Sequence, residues 1–248
     1  MKKINVLSIA ASDTSGGAGI QRDLNTFHDL RVNGLSVVTG ITAQTDTKVF
    51  FADALDEVTV DIQLKTLFQN YDISAVKIGV VFNRAIMDTI SHYLEKYQPA
   101  HIVIDPILHA SDSYAFLDEK DFLHFRDTFL TKANVITPNV PELEHLTAMP
   151  VENEQDLIKA SRFLSEKYDS LIFAKGGHLT TSTTVTDYLL KGELLERFTS
   201  PNSNLSDVHG TGCLISSAIT SYLALGEQTK EAIKKAKKYF YSIHVDDV

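Results

Sequence analysis

Short apolar runs rich in β-branched residues alternate along this sequence with longer stretches of helical spacing. This alternation constrains the fold more than any other feature, because it is typical of βαβ units with a mostly parallel sheet and helices on both faces. The strand-like runs are residues 4–10, 35–43, 75–81, 101–105, 134–137 and 171–174. The helical stretches are residues 20–30, 60–70, 85–97, 156–168, 214–225 and 230–243. We therefore expect an α/β fold of three layers, α/β/α.

One segment breaks that rhythm. Residues 185–190 and 194–198 are strand-like and are separated only by Lys-Gly-Glu at 191–193, a spacing typical of a β-hairpin. An antiparallel edge of the sheet is predicted there. Since no low-complexity tract, internal repeat or flexible linker interrupts the chain, residues 1–248 are predicted to form a single domain.

Charge and cysteine content exclude several classes of protein. The formal net charge of -9 repels nucleic acid and anionic lipid, so we expect neither as a partner. The one cysteine, Cys213, excludes an internal disulfide framework and favours the cytoplasm.

Residues 1–12 are better explained as a strand that enters a glycine loop than as a signal peptide. No apolar run approaches the roughly 18 residues that span a bilayer.

The strongest candidate for chemistry is the stretch DVHGTGC at 207–213, which opens an apolar helical segment. Glycines let the backbone approach an anion, and the first N–H groups of a helix attract a phosphoryl group. Cys213 would lie at the positive end of that helix, where the pKa of a thiol falls below its reference of about 8.5. The alternative is a simple turn with a cysteine that packs as a small hydrophobe.

A second glycine cluster, SDTSGGAG at 12–19, follows the first strand and opens the first helix. Its position favours ligand contact, although a tight turn would need the same glycines. It is not the dinucleotide fingerprint, and the sequence contains no Walker A motif. A dehydrogenase and a P-loop enzyme are therefore both disfavoured.

Polar residues follow three further strands. Asn139 and Glu142 carry oxygen donors of the kind that Mg²⁺ prefers, but the same Asn-Val-Pro-Glu pattern also caps helices. Asp105 ends another strand and either faces the same cleft or caps a turn. Lys175 presents a cation suited to nucleotide phosphates, or lies in a surface turn. Because ligand sites collect at the carboxyl ends of parallel strands, all four are candidates for one cleft.

Two other groups are expected to have no part in the chemistry. The lysines of the last helical stretch predict a solvated helix face, and several histidines lack any spacing typical of metal ligands. These residues are Lys234, Lys235, Lys237 and Lys238, and His28, His92, His109 and His124.

In their order along the chain, seven motifs resemble the hydroxymethylpyrimidine/phosphomethylpyrimidine kinases of thiamine biosynthesis. They are SDTSGGAGIQRDL, TAQT, AVKIGV, IDPI, TPNVPE, AKGGHL and HGTGC. That family belongs to the ribokinase-like superfamily, which also includes the pyridoxal kinases. The resemblance covers nearly the whole chain and implies a ribokinase-like fold and a small-molecule kinase.

The resemblance also implies roles for the phosphate loop. Gly210, Thr211 and Gly212 would form an anion hole for the transferred phosphoryl group and contact ATP, and Lys175 would approach the nucleotide. Cys213 holds the position of the base, and would deprotonate or orient a substrate hydroxymethyl group. In-line attack on the γ-phosphate then requires mainly positioning and charge stabilisation from the protein.

For the metal, Asn139 and Glu142 would serve the Mg²⁺–phosphate region, with Asp105 nearby. The substrate is implied to be a small molecule, an aminopyrimidine or a pyridoxal-like ring. Gln44, whose amide can pair with the edge of an aminopyrimidine, would set specificity. The positions of three further residues also match or border that pocket: Asp23, Ala18 and Val80.

Some positions depart from the family pattern. Ala11 replaces a glycine, Val80 a methionine and Thr45 an asparagine. The segment after Asp-Pro, which normally reads like MVAKSG and covers the phosphates as a flap, is ILHASD at 107–112. Three hypotheses therefore stay open: a hydroxymethylpyrimidine kinase with one or two phosphorylations, a pyridoxal kinase, and a pyrimidine-binding protein without transfer activity. The oligomeric state, a homodimer included, is also left open.

Overall fold

The computed structural model describes residues 3–110, 112–179, 184–201 and 210–245, and these fold around one sheet of nine strands. The strands are β1 (Asn5–Ser12), β2 (Asn33–Gln44), β3 (Val49–Ala54), β4 (Ile73–Ile78), β5 (His101–Ile104), β6 (Val135–Ile136), β7 (Leu171–Ala174), β8 (Thr184–Lys191) and β9 (Leu194–Pro201). The helices are α1 (Gly19–Asp29), α2 (Glu57–Asn70), α3 (Arg84–Tyr97), α4 (Glu119–Asp127), α5 (Val140–Thr147), α6 (Glu154–Tyr168), α7 (Thr211–Ala224) and α8 (Thr229–Val245). Every predicted strand and helix is present, with ends shifted by a few residues.

The sheet has the strand order β3-β2-β1-β4-β5-β6-β7-β8-β9. The six neighbouring strands β2-β1-β4-β5-β6-β7 pair in parallel. The β8–β9 hairpin is antiparallel at one edge, as predicted, and β3 runs antiparallel to β2 at the other edge, which the sequence pattern did not predict. The mostly parallel α/β fold is confirmed.

Helices cover both faces of this sheet. In β5, Ile102 and Ile104 pack into the core that includes α2, α3, α5 and α6, whereas Val103 faces Ala218 of α7 and Ile233 of α8. Strands covered on both faces read as continuous apolar runs, which is the pattern found in the sequence. Among the described residues, none of the helices is long and apolar enough to cross a bilayer.

The strand order places a crevice at one edge of the sheet. From β1 the chain passes to β2 on one side, and it later returns to β4 on the other side of β1. The loops after β1 and β4 therefore diverge, and in α/β sheets ligands bind where this happens, outside the carboxyl ends of the strands. Helix α7 packs against β1, β4 and β5, so its beginning lies next to the crevice.

Candidate active site

A cleft of about 960 Å³ opens at this carboxyl edge. Its walls are the loops that follow the parallel strands and the first turn of α7. The predicted site residues that line it are Ala18, Gln44, Val80, Asp105, Asn139, Glu142, Lys175, Gly210, Thr211, Gly212 and Cys213. Residues 207–209 of the predicted phosphate loop lie outside the described residues. The fold thus brings separate motifs into one cleft.

Helix α7 begins at Gly210, a position that has no room for a side chain. Gly210, its N-cap, has a φ of 81°, and a Cβ there would lie 1.8 Å from the carbonyl oxygen of Gly17. The loop after β1 and the start of α7 are therefore in backbone contact. No side chain among the described residues caps this helix, and Thr211, Gly212 and Cys213 line the cleft. Such a helix start is suited to bind an anion.

Lys175 places an ammonium beside this helix start. Its Nζ lies 3.2 Å from the position that a Cβ on Gly212 would take, and it donates to Oδ1 of Asp105 at 2.9 Å. Asp105 also accepts from Thr137 Oγ1 at 2.8 Å and from Ser216 Oγ at 3.2 Å. Burial acts to raise the pKa of Asp105, but the charges of Lys175 and Lys77 and the hydrogen bonds from Lys175 and Thr137 together outweigh it, so the pKa is lowered.

Asn139 and Glu142 form a capping box at the start of α5. The Asn139 side chain accepts from the N–H of Glu142 at 2.8 Å, and Glu142 Oε2 accepts from the N–H of Asn139 at 2.8 Å. The capping interpretation is therefore correct, and both residues still line the cleft. Burial raises the pKa of Glu142 to about 7, even though Lys175 Nζ lies 4.0 Å from its Oε2. This carboxyl changes charge near neutral pH.

Cys213 lies in the first turn of α7, with only 5% of its surface exposed. The expectation of a lowered thiol pKa is wrong. Burial raises the pKa of Cys213 to about 11, since the charge of Lys77 and a backbone hydrogen bond from Gly19 only partly offset the desolvation of the thiolate.

Asp23 does not reach the cleft, contrary to the predicted substrate contact. It is fully buried in α1, where both oxygens accept from Lys77 Nζ at 3.0 and 2.9 Å. Ser8 Oγ and Ser217 Oγ donate to the same carboxylate at 2.5 and 2.6 Å. Lys77, which does line the cleft, was missed. The signal was available, because a lysine in an apolar strand covered on both faces must be paired.

The opposite end of the cleft is formed by the loops after β1 and β2. Thr14 Oγ1 accepts from the N–H of Gln44 at 2.9 Å and donates to its carbonyl at 3.0 Å, which ties the two loops together. Buried Asp13 accepts from the N–H of Ala18 at 2.7 Å. Val80 is buried and also lines the cleft. These residues place the Gln44 side chain at a pocket wall.

The atypical flap segment contributes Ile107, His109 and Ala110 to the wall of the cleft, and an antiparallel bridge pairs His109 with Ala115. Phe116 donates its N–H to Leu108 at 3.0 Å, and its ring joins a small apolar cluster beneath the flap. Asp112 Oδ2 accepts from the N–H of Val49 at 2.9 Å, so the flap is fastened to the start of β3. Residue 111 lies outside the described residues.

Two residues that were expected to have no part in the chemistry, His109 and Lys237, line the cleft. His109 lines it, with its ring 5.4 Å from that of His145 on α5. Lys237 is buried rather than solvated, because it pairs with Asp187. Asp187 in turn accepts from the N–H of Gly176 at 2.9 Å. The helical period alone does not reveal that this lysine faces inward.

The sequence matches the family model described as phosphomethylpyrimidine kinase over residues 13–247. A hydroxymethylpyrimidine/phosphomethylpyrimidine kinase of Staphylococcus aureus (strain MSSA476) is 36% identical over 234 residues, which cover 94% of this chain and 85% of that protein. The protein of the same description from Bacillus subtilis (strain 168) is 31% identical and spans 96% of this chain and 88% of its own length.

Solved structures of a phosphomethylpyrimidine kinase and of a pyridoxal kinase have the same fold as this chain. The phosphomethylpyrimidine kinase of Clostridium difficile 630 superposes with a TM-score of 0.86 at 34% identity and covers 97% of this chain and 99% of its own. The pyridoxal kinase of Staphylococcus aureus in complex with AMP-PCP and pyridoxal has a TM-score of 0.88 at 29% identity, and covers 98% and 88%. The ribokinase-like expectation agrees with both.

Proposed function

This chain belongs to the phosphomethylpyrimidine kinase family and is a phosphotransferase, and from this we propose that it transfers the γ-phosphoryl group of ATP to the hydroxymethyl group of 4-amino-5-hydroxymethyl-2-methylpyrimidine. The relatives named above carry the name of this reaction. An ATP analogue bound to a pyridoxal kinase of the same fold supports ATP as the donor.

One observation supports this proposal most directly. The open start of α7 and the Lys175 ammonium lie side by side, with Lys175 Nζ 3.2 Å from the position that a Cβ on Gly212 would take. Backbone N–H groups and a fixed cation together stabilise the charge that spreads over a phosphoryl group in transfer. The pocket that Gln44 borders opens into the same cleft. A phosphoryl donor and a small ring can therefore meet in one cavity.

The acidic residues fit a magnesium ion that enters together with the nucleotide. No cluster of three metal-binding side chains occurs in the parts of the chain that the structure describes, which disfavours an all-protein cage. Mg²⁺ normally keeps several waters and takes one or two carboxylates plus phosphate oxygens. Glu142 is the carboxylate we assign to it, while Asp105 is committed to Lys175, Thr137 and Ser216 and orients that lysine. Bound Mg²⁺ would neutralise charge between the phosphates.

Cys213 is the residue that we place beside the substrate hydroxyl. Because its pKa is about 11, the thiol predominates at neutral pH and orients the hydroxyl, while a small thiolate fraction can accept its proton. Phosphoryl transfer through a loose transition state asks little of a base before the bond to the leaving group stretches. Positioning and charge stabilisation therefore carry most of the proposed mechanism.

A pyridoxal or pyridoxine kinase is the second candidate. The observation that favours it is the wall of the cleft, where Ala11 and Val80 depart from the residues usual in the pyrimidine kinases, together with the similarity to pyridoxal kinase structures. Gln44 favours the pyrimidine, since its amide offers both a donor and an acceptor to an aminopyrimidine edge. The same reasoning leaves the pyrimidine monophosphate as a further substrate of the first candidate.

A substrate panel separates these candidates. The purified protein is incubated with ATP and Mg²⁺ and with the hydroxymethylpyrimidine, its monophosphate, pyridoxal or pyridoxine, and products are identified by mass. We expect a phosphorylated pyrimidine, and loss of that product in Cys213→Ala. Gln44→Leu should lower kcat/KM for the pyrimidine by about 10-fold or more and leave the KM for ATP unchanged. Phosphorylation of pyridoxal alone would favour the second candidate, and pyrimidine binding without ADP would argue against both.

Three broader features are part of this proposal. We propose that residues 1–248 act as one kinase domain, with the cytoplasm as the compartment because the single Cys213 is a buried free thiol. A homodimer is the assembly to test, and size-exclusion chromatography with light scattering measures it directly.

A further inference from the structure

A fully buried ion pair lies directly beneath the cleft. Lys77 in β4 and Asp23 in α1 are each 0% exposed, and their charged groups are 2.9 Å apart. Removing two charges from water costs several kcal/mol per ion, and a well-packed apolar pair of similar volume often serves stability as well or better. Stability alone therefore does not explain why the pair is charged.

Three elements of the fold hold the carboxylate of Asp23. Lys77 donates from β4, Ser8 from β1 at 2.5 Å and Ser217 from α7 at 2.6 Å, while Asp23 itself belongs to α1. This arrangement leaves the lysine little freedom to move. Its ammonium stays at a defined point of the floor, where a Cβ on Gly79 would lie 3.2 Å from Nζ.

Cys213 lies within electrostatic reach of that point. Ser217, which holds Asp23, follows Cys213 by one helical turn on the buried face of α7, so both side chains project to the same side. Lys77 and Cys213 both line the cleft. The positive charge of Lys77 acts to lower the pKa of the thiol, while the negative charge of Asp23 acts to raise it.

We propose that Lys77 is a positioning residue for phosphoryl transfer, whose ammonium, fixed by Asp23, stabilises negative charge on Cys213 beside the substrate hydroxyl. In the step itself the hydroxyl oxygen forms a bond to the γ-phosphorus, the bond from that phosphorus to the ADP oxygen breaks, and the hydroxyl proton passes to the Cys213 thiolate. The inference rests on the proposed function, because it assigns Cys213 to the acceptor hydroxyl.

The test uses the reactivity of the one cysteine in the chain. The rate of Cys213 alkylation by iodoacetamide is followed by mass spectrometry between pH 7 and 11, which requires no knowledge of the substrate. Lys77→Met combined with Asp23→Asn removes both charges without leaving either buried alone, and should shift the alkylation profile to higher pH, because the Lys77 charge acts on the pKa of the thiol more strongly than the opposing charge of Asp23. Asp23→Asn alone removes the charge that raises the pKa of the thiol, while Asp105 still favours the Lys77 ammonium, so alkylation should accelerate at the lower end of this pH range, where the amine is protonated.

Slower alkylation in the double variant together with faster alkylation in Asp23→Asn supports the proposal, since a packing defect would change both alkylation rates in the same direction. In the kinase assay the double variant should lose about 10-fold in kcat with the KM for ATP unchanged. Wild-type alkylation profiles in both variants, or a wild-type kcat in the double variant, would refute it. If the double variant does not fold, the change in alkylation rate in Asp23→Asn alone tests the proposal. Alkylation that is slower than in the wild type, or equal to it, would then overturn the role of Lys77. If the wild-type protein turned over none of the substrates, the proposed function would fail while the alkylation profile still tested Lys77.

Discussion

Replacing Gly210 by alanine tests the backbone contact between the loop after β1 and the start of α7. Gly210 has a φ of 81°, where a residue with a Cβ is strained by about 1–2 kcal/mol. The added Cβ would also lie 1.8 Å from the carbonyl oxygen of Gly17, a distance that real Cβ contacts essentially never show. The two loops must therefore move apart by more than about 1 Å, and displacements of this size cost on the order of 100-fold in rate.

Gly226 offers a matched control. It has a φ of 90°, and a Cβ there meets nothing within 4 Å. Gly226→Ala should thus share the backbone strain and lower the free energy of unfolding by about 1–2 kcal/mol without any effect on the cleft. Gly210→Ala should lose about 100-fold in kcat/KM as well, equivalent to about 2.7 kcal/mol of transition-state stabilisation.

Initial rates of ADP formation and urea unfolding of both variants measure the two effects separately. We expect calorimetry to show weaker ADP binding in Gly210→Ala alone. The reasoning is refuted if Gly210→Ala folds stably and keeps kcat/KM within about threefold of Gly226→Ala, because a threefold change is far below the loss expected from a displaced anion site.

Three other changes test separate parts of the cleft. Because the pKa of Glu142 is about 7, the carboxyl is neutral below that pH, so kcat/KM for MgATP should rise with pH through about 7, and Glu142→Gln should remove this limb. Lys237→Met leaves Asp187 buried without its cation and should lower the urea unfolding free energy by about 3–5 kcal/mol, whereas exposed Lys234→Met should change it by less than about 1 kcal/mol. Equal losses of unfolding free energy in the two variants would contradict the buried ion pair between Lys237 and Asp187. Asp112→Ala frees the flap from β3 and should raise the KM for ATP with little loss of stability, while an unchanged KM would mean that this hydrogen bond does not hold the flap.

The elements that the sequence pattern predicted are those whose burial leaves a periodic trace. The central strands were found because both of their faces are covered, so they appear as unbroken apolar runs. Strand β3 was missed because Phe50 and Phe51 are both exposed, which removes the alternation of a half-buried strand. Helix α4 was missed because it buries only Phe125, and α5 was indicated only by the capping pattern at its start, because its eight residues are too few to show a helical period.

For the site, the positions were predictable and the environments were not. Motifs at strand ends converge because parallel strands share a carboxyl edge, so Lys175 and Glu142 were expected near the cleft. The pKa of Cys213 was not predictable, since it depends on what packs around the thiol. Asp23 and Lys77 are 54 residues apart, and only the folded chain shows that they neutralise each other. Side-chain pairs between distant segments leave no periodic trace in one sequence.

The hydrogen bond from Ser217 to Asp23 joins residues 194 positions apart, and the contact of Gly17 with Gly210 closes a similar span. A chain made from its N-terminus therefore exposes Asp23 and Lys77 early, and their last partner arrives only when α7 has been synthesised. Closures over such distances are slow steps in folding because their entropy is lost before the contact forms. The phosphate site that we propose is completed by the same late helix. A ribosome-bound or truncated chain that lacks α7 is therefore expected to bind no phosphoryl group, and we expect activity to appear only when folding is nearly complete.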